Sequence, residues 1–107
     1  IDTAVDKLLR AKMKSGDAGQ AVAAESLLGT IAIANAKRAC RASREIYSGP
    51  RWQALADQGA RAQRLLWAST GTKDPAYRDT LYLDELIGPD TINTMPRETL
   101  EAFLHHG

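Results

Sequence analysis

The chain has 107 residues, 44% of them hydrophobic and 25% charged, with a formal net charge of +1. That length supports one small domain with a modest core, and the composition excludes a disordered chain, which would be poor in apolar residues and high in net charge. No run approaches the roughly 20 apolar residues of a membrane-spanning helix, and the near-neutral balance argues against a dedicated nucleic-acid binder, whose partner demands a basic stripe.

The segment DTAVDKLLRAKMKSG offers Asp2 or Thr3 as a helix cap, and its Val5, Leu8, Leu9 and Met13 recur at the spacing of one helix face. SGDAGQ, residues 15–20, breaks that pattern. A longer helix is expected over 21–47, with Ala24, Leu28, Ile31, Asn35, Ala39, Ala42 and Ile46 as its inward stripe. The stripe is poor in bulk, which predicts close packing, and Asn35 within it is read as a buried, hydrogen-bonded amide. Cys40 is the single cysteine, so no internal disulfide forms, and its alanine-rich surroundings suit a packing role better than a reactive thiol. With no signal peptide visible, a reducing, cytoplasmic location is expected. The cluster Lys37, Arg38, Arg41, Arg44 and Arg51 reads as a solvated helix face. As a nucleic-acid surface it is interrupted by Glu45 and has no interleaved aromatic platform. Lys37 sits among alanines, where desolvation would make a lysine nucleophilic, but helical spacing directs it away from the stripe and toward solvent.

SGP, residues 48–50, ends the long helix, and Pro50 suits the first turn of a short one that stops at Gly59. Trp52, Leu55 and Ala56 form its apolar side, with Trp52 as a core anchor. Leu65-Leu66-Trp67-Ala68 is a continuous apolar or small run with polar flanks, the pattern of a strand buried on both faces in a parallel sheet. Residues 71–79 read as a loop. Asp79 or Thr80 caps a short helix that carries Leu81, Leu83, Leu86 and Ile87 and ends at Gly88, with a strand over TLYL as the other reading. Thr91–Met95 is a second short strand, and Pro96 opens a last helix with Leu100, Phe103 and Leu104 inward and Gly107 as its stop. His105 and His106 fall in the last turn, where they complement the helix dipole. Neighbours on a helix point in different directions, so they are not expected to share a metal.

Strand–helix–strand–helix is a β/α pattern. Two strands cannot by themselves form a parallel sheet with both faces covered. With Ile1 in place of a starting methionine, the expectation is a segment of a larger β/α protein.

In β/α folds, ligands bind beyond the carboxyl ends of the strands. The first strand is followed there by Ser69-Thr70-Gly71-Thr72-Lys73. Hydroxyls and backbone donors beside a glycine, with a lysine at the tip, are what an anion cradle requires; a plain polar turn is the competing reading. After the second strand, Thr94 suits a structural role at the helix start, whereas Asn93 is open to either.

These residues also resemble a known family. Arg64 to Gly107, RLLWASTGTKDPAYRDTLYLDELIGPDTINTMPRETLEAFLHHG, is similar to the C-terminal part of transaldolases of the longer bacterial type, including those fused to glucose-6-phosphate isomerase. GTIAIANAKRACRASREIYSGPRW and LADQGARAQR resemble the preceding segment, and the likeness is weakest over AKMKSGDAGQAVAAESLL. WASTGTK, ELIGPDTINTMP and IANAK are specific in combination. The resemblance implies a helix-rich α/β fold, with residues 1–107 a partial domain of a (β/α)8 TIM barrel. That segment runs from the end of strand six through the helix after strand eight. Arg64–Ser69 would be strand seven and Thr91–Met95 strand eight.

The resemblance further implies transfer of a dihydroxyacetone unit between sugar phosphates through a lysine Schiff base. The substrates would be fructose 6-phosphate, sedoheptulose 7-phosphate, erythrose 4-phosphate and glyceraldehyde 3-phosphate, with no cofactor, metal, nucleic acid or membrane. The family's Schiff-base lysine and its acidic partner lie on earlier strands, so the rest of the barrel is required and the isolated chain is expected to be inactive. Ser69 matches the family's phosphate-contacting serine at the end of strand seven. Lys73 stands two residues beyond the position where the shorter branch has an arginine, and a further phosphate arginine would immediately precede Ile1. The alternative is a non-catalytic helical domain that binds a partner through the Lys37–Arg44 face.

Overall fold

The computed structural model describes residues 1–107, which divide into two compact units, 1–35 and 36–107. In the first unit, α1 (Asp2–Ser15) and α2 (Ala18–Ser26) flank a short break. Asp17 ends that break by accepting a hydrogen bond from the Gln20 N–H at 2.8 Å, a side-chain cap on α2. The expected long helix over 21–47 is instead two helices, α2 and α3 (Ile31–Ile46). The chain turns between them with Gly29 at φ +69, a conformation that glycine adopts without the Cβ clash other residues meet.

The junction is held by carboxylates from α1. Asp6 is 2% exposed and its Oδ1 accepts from the Gly29 N–H at 3.1 Å; buried Asp2 accepts from the Ala32 N–H at 2.7 Å. Asp2 therefore does not cap its own helix, whose N-cap is Ile1; it satisfies a first-turn donor of α3. The buried face of α1 is built on Asp2, Val5, Asp6, Leu9 and Met13, and the expected inward Leu8 is exposed.

Splitting the long helix also shifts its stripe. Along α3 the sheltered positions are Ile33, Ala36, Cys40 and Ser43, continued by Tyr47, again at three- and four-residue spacing. Ile31, Asn35, Ala39, Ala42 and Ile46 are exposed, so Asn35 is a surface amide and not a buried one. Cys40 is half-buried on the sheltered side, where a small packing residue belongs.

In the second unit, α4 (Pro50–Ala56) starts on Gly49 with proline in its first turn, and Trp52 packs edge-on against Tyr47 with ring centroids 4.7 Å apart. Two strands follow as expected, β1 (Leu65–Trp67) and β2 (Thr91–Asn93). They pair in parallel with Leu65 opposite Thr91, Leu66 opposite Ile92 and Trp67 opposite Asn93. The crossover between them carries α5 (Leu81–Leu86), and α6 (Arg97–His106) follows β2. The Trp67 indole N–H donates to the Leu86 carbonyl at 3.1 Å, which ties β1 to the end of α5. The expectation of a strand covered on both faces is not met within this chain, since Leu66 is 50% exposed. The buried apolar residues are Ala24, Ile33 and Leu83, whereas Ile46, Leu55, Leu66, Ile87 and Leu104 are exposed. No helix is long and apolar enough to cross a membrane.

Candidate functional site

The two strand ends are stitched together one step past the sheet. The Thr94 N–H donates to the Trp67 carbonyl at 2.9 Å, and Thr70 answers with its N–H and its hydroxyl, both on the Thr94 carbonyl at 3.3 and 3.1 Å. Thr70 is 4% exposed, so these bonds are shielded from water and fix the loop after β1 against the loop after β2. Gly71 then passes close to the start of α6. A Cβ there would lie 3.1 Å from Thr99 Oγ1 and 3.2 Å from Pro96 Cδ, which is why a residue without a side chain stands at this point.

Between Trp67 and Thr70 the chain turns at Ser69, whose φ of +56 lies in the left-handed region. That conformation costs a non-glycine residue about 1–2 kcal/mol and persists where the surroundings impose it. Here the stitch on either side imposes it, and the Ser69 side chain is left exposed at the carboxyl end of β1.

Ser69 opens into a cleft of about 610 Å³, whose wall also includes Lys73, Thr72, Asp79, Thr94 and Glu98. The two residues picked out in the sequence, Ser69 and Lys73, are thus brought to one cavity. Thr72 is partly engaged, because its hydroxyl donates to the Arg78 carbonyl at 3.0 Å and closes the loop over 72–78. Asn93 does not line the cleft; its Oδ1 is enclosed and has no hydrogen-bond partner. Thr94 is not at the helix start as expected, since Pro96 is the N-cap of α6; its backbone instead forms the stitch between the strand ends. Thr80 is the N-cap of α5 but does not cap it with its side chain; the hydroxyl goes to Asp84 Oδ2 at 2.8 Å, and Arg78 reaches the same oxygen at 3.1 Å.

Charge in the cleft is mixed. Lys73 supplies an exposed ammonium, and the first turn of α6 presents the positive end of a helix dipole. Asp79 and Glu98 supply carboxylates. A hydrogen bond from His106, 2.8 Å from Asp79 Oδ1, holds the Asp79 carboxyl below its usual range, and the imidazole's charge adds to the effect. The two histidines also meet, Nδ1 to Nδ1 at 3.2 Å, contrary to the expectation that they point apart. Asp79 and His106 are 27 residues apart, so no local pattern joined them. No group of three or more His, Cys, Asp or Glu gathers as a metal site. Lys37 is exposed as expected, although the Ile31/Asn35 stripe used to orient it is itself exposed, and it pairs with Glu85 at 3.3 Å; Arg41 pairs with Glu45 at 2.9 Å, so part of the basic face is matched by acid.

Two parallel strands joined by a helical crossover, with polar loops gathered at the strands' carboxyl ends, define a β/α architecture. Residues 2–107 match the family described as Transaldolase/Fructose-6-phosphate aldolase, and the chain belongs to that family, whose fold is a TIM barrel. It is 52% identical over 107 residues to Transaldolase 1 of Streptomyces avermitilis, covering all of this chain and 26% of that protein. It is 48% identical to the transaldolase of Trichodesmium erythraeum, over 99% of this chain and 28% of the relative. The transaldolase of Thermobifida fusca is 50% identical over all of this chain and 27% of its own length. The chain therefore spans about a quarter of the length of these relatives.

Proposed function

We propose that this chain is the wall of a transaldolase barrel that holds the phosphate end of the substrate. In this reading β1 is strand seven, β2 is strand eight, and residues 1–107 run from the exit of strand six to the helix after strand eight. The complete, cytoplasmic protein moves a dihydroxyacetone unit between sugar phosphates in the pentose phosphate pathway, from fructose 6-phosphate or sedoheptulose 7-phosphate to an aldose phosphate. A lysine outside this chain forms the Schiff base. Ser69 donates its hydroxyl to a phosphate oxygen and Lys73 adds a charge-assisted bond. Gripping the phosphate orients the reacting carbonyl at the far end of the sugar, which is how remote binding energy lowers a barrier.

The observation that carries this reading is the convergence of Ser69 and Lys73 on one cleft at the carboxyl ends of two parallel strands. One further feature supports the need for the rest of a barrel: Leu66, on a strand, is half exposed.

In the full-length protein, Ser69→Ala and Lys73→Ala should each raise the KM for fructose 6-phosphate about tenfold or more, the worth of a hydrogen bond to a charged group. Both side chains are exposed, so the melting temperature should hold. Wild-type KM values in both variants would remove Ser69 and Lys73 from the phosphate site. The non-catalytic alternative, docking through Lys37–Arg44, gains no support from the geometry, because two of those cations are already paired.

A further inference from the structure

We infer that His106 masks the charge of Asp79 and thereby tunes the affinity of the cleft for the anionic end of its substrate. This rests on the reading of the cleft as a phosphate site. Asp79 lines the same cavity as Lys73, and an unmasked carboxylate there opposes a dianion. His106 Nε2 sits 2.8 Å from Asp79 Oδ1, an ion pair whenever the imidazole is protonated.

The placement is built from both sides. The backbone carbonyl of Asp79 lies 3.3 Å from Thr72 Oγ1 and shares the hydroxyl proton that goes mainly to the Arg78 carbonyl, and Thr72 is itself part of the cleft wall. His106 comes from the last turn of α6, the helix whose first turn contributes Glu98 and Thr99 to the wall. The charged groups facing His106 are Asp79 from the loop and His105 on its own helix; Lys73 and Glu98 are the other charged side chains of the cavity. A protonated His106 places Nε2–H on Asp79 and Nδ1–H on the lone pair of a neutral His105, 3.2 Å away. Both of its protons then have acceptors. The carboxyl of Asp79, held low by this hydrogen bond, stays ionised throughout the range in which a histidine titrates.

The sign follows from the charges. With His106 protonated, the pair sums to zero and Asp79 no longer offsets Lys73. As pH rises and the imidazole loses its proton, the pair becomes −1 and anion affinity falls. Four forms of the full-length protein separate this from a purely structural role, with inorganic sulfate as competitive inhibitor against fructose 6-phosphate. Sulfate remains a dianion at pH 6 and pH 8, so its own ionisation does not intrude. Ionic strength is kept low, because salt screens exposed charges.

Wild type should lose about threefold in sulfate affinity between pH 6 and 8, the scale of an exposed pair. His106→Ala should sit at the weaker value at both pH values. Asp79→Asn should bind sulfate more tightly than wild type at pH 6. The double variant Asp79→Asn/His106→Ala should match wild type at pH 6 and keep that affinity at pH 8. A double variant as weak as His106→Ala would show that the histidine acts by holding the loop and would overturn charge masking. So would a His106→Ala profile identical to wild type while Ser69→Ala weakens sulfate, an outcome that leaves the phosphate site standing. If Ser69→Ala also leaves sulfate inhibition untouched, the phosphate reading fails first and this inference with it.

Discussion

Two regions of the molecule handle polar groups in opposite ways. In residues 1–35 the buried polar side chains are carboxylates, Asp2 and Asp6, and each accepts a backbone N–H at the α2–α3 junction. Around β1 and β2 the buried hydroxyl of Thr70 closes the frame, while Ser69 and Lys73 stay exposed beside it. A buried charge whose acceptors are engaged from within is scaffold. An exposed hydroxyl placed by a rigid, satisfied neighbour is available to a ligand. The chemistry of the residue type alone would suggest the reverse, since a pair of carboxylates four apart on a helix looks more catalytic than a run of threonines.

The largest effect should come from breaking the scaffold side. Asp6→Ala leaves the Gly29 N–H at a buried position without its acceptor, a loss of about 1.5–3 kcal/mol for a hydrogen bond to a charged group. In the full-length protein the Gly29 amide should exchange with solvent faster by roughly one to two orders of magnitude, because local opening is governed by the same free energy. Asp6→Asn, which keeps an acceptor oxygen, should recover most of the protection. Unchanged exchange in Asp6→Ala would mean that the carboxylate does not hold the junction.

A smaller effect should follow on the other side. Thr70→Val keeps the shape and the backbone N–H bond but removes the hydroxyl donor to the Thr94 carbonyl. The cost should be about 1 kcal/mol of stability in urea unfolding, the net worth of one neutral hydrogen bond. Because the Thr94 carbonyl keeps one donor, the loop should hold its course and KM should change far less than in Ser69→Ala. A KM change as large as that of Ser69→Ala would place Thr70 in the site itself.

How much of this could be read from the residues differs between the same two regions. The β/α order, the two strands, the crossover helix and the Ser69–Lys73 loop all follow from local pattern, because each element is set by contiguous residues and its turn chemistry. The α2–α3 break was missed. Residues 21–47 carry no proline, and Gly29 alone is tolerated inside a helix at a cost of about 1 kcal/mol. What decides in favour of a break is Asp2 and Asp6 reaching across from α1, an interaction 23 and 30 residues long in sequence. A continuous helix over 21–47 phases the α3 stripe on Asn35, whereas the break turns Ile33, Ala36 and Cys40 inward. The Asp79–His106 contact was illegible for the same reason, since each residue alone reads as an ordinary cap or dipole partner.

The finest test of the comparison lies at Ser69, where frame and ligand group meet in one residue. Its φ of +56 is a strained setting for any side chain, so Ser69→Gly removes the hydroxyl and relaxes the backbone together, whereas Ser69→Ala removes the hydroxyl and keeps the strain. Glycine should leave the protein about 0.5–1 kcal/mol more stable than alanine at this position, less the extra entropy that glycine gives the unfolded chain. If the hydroxyl is what the phosphate meets, the two variants should share the same raised KM to within about twofold, since a stability gain of this size is realised in the free and the bound protein alike. If Ser69→Gly instead recovered the wild-type KM, the turn itself would set affinity. The exposed oxygen would then belong with the scaffold, as Asp2 and Asp6 do.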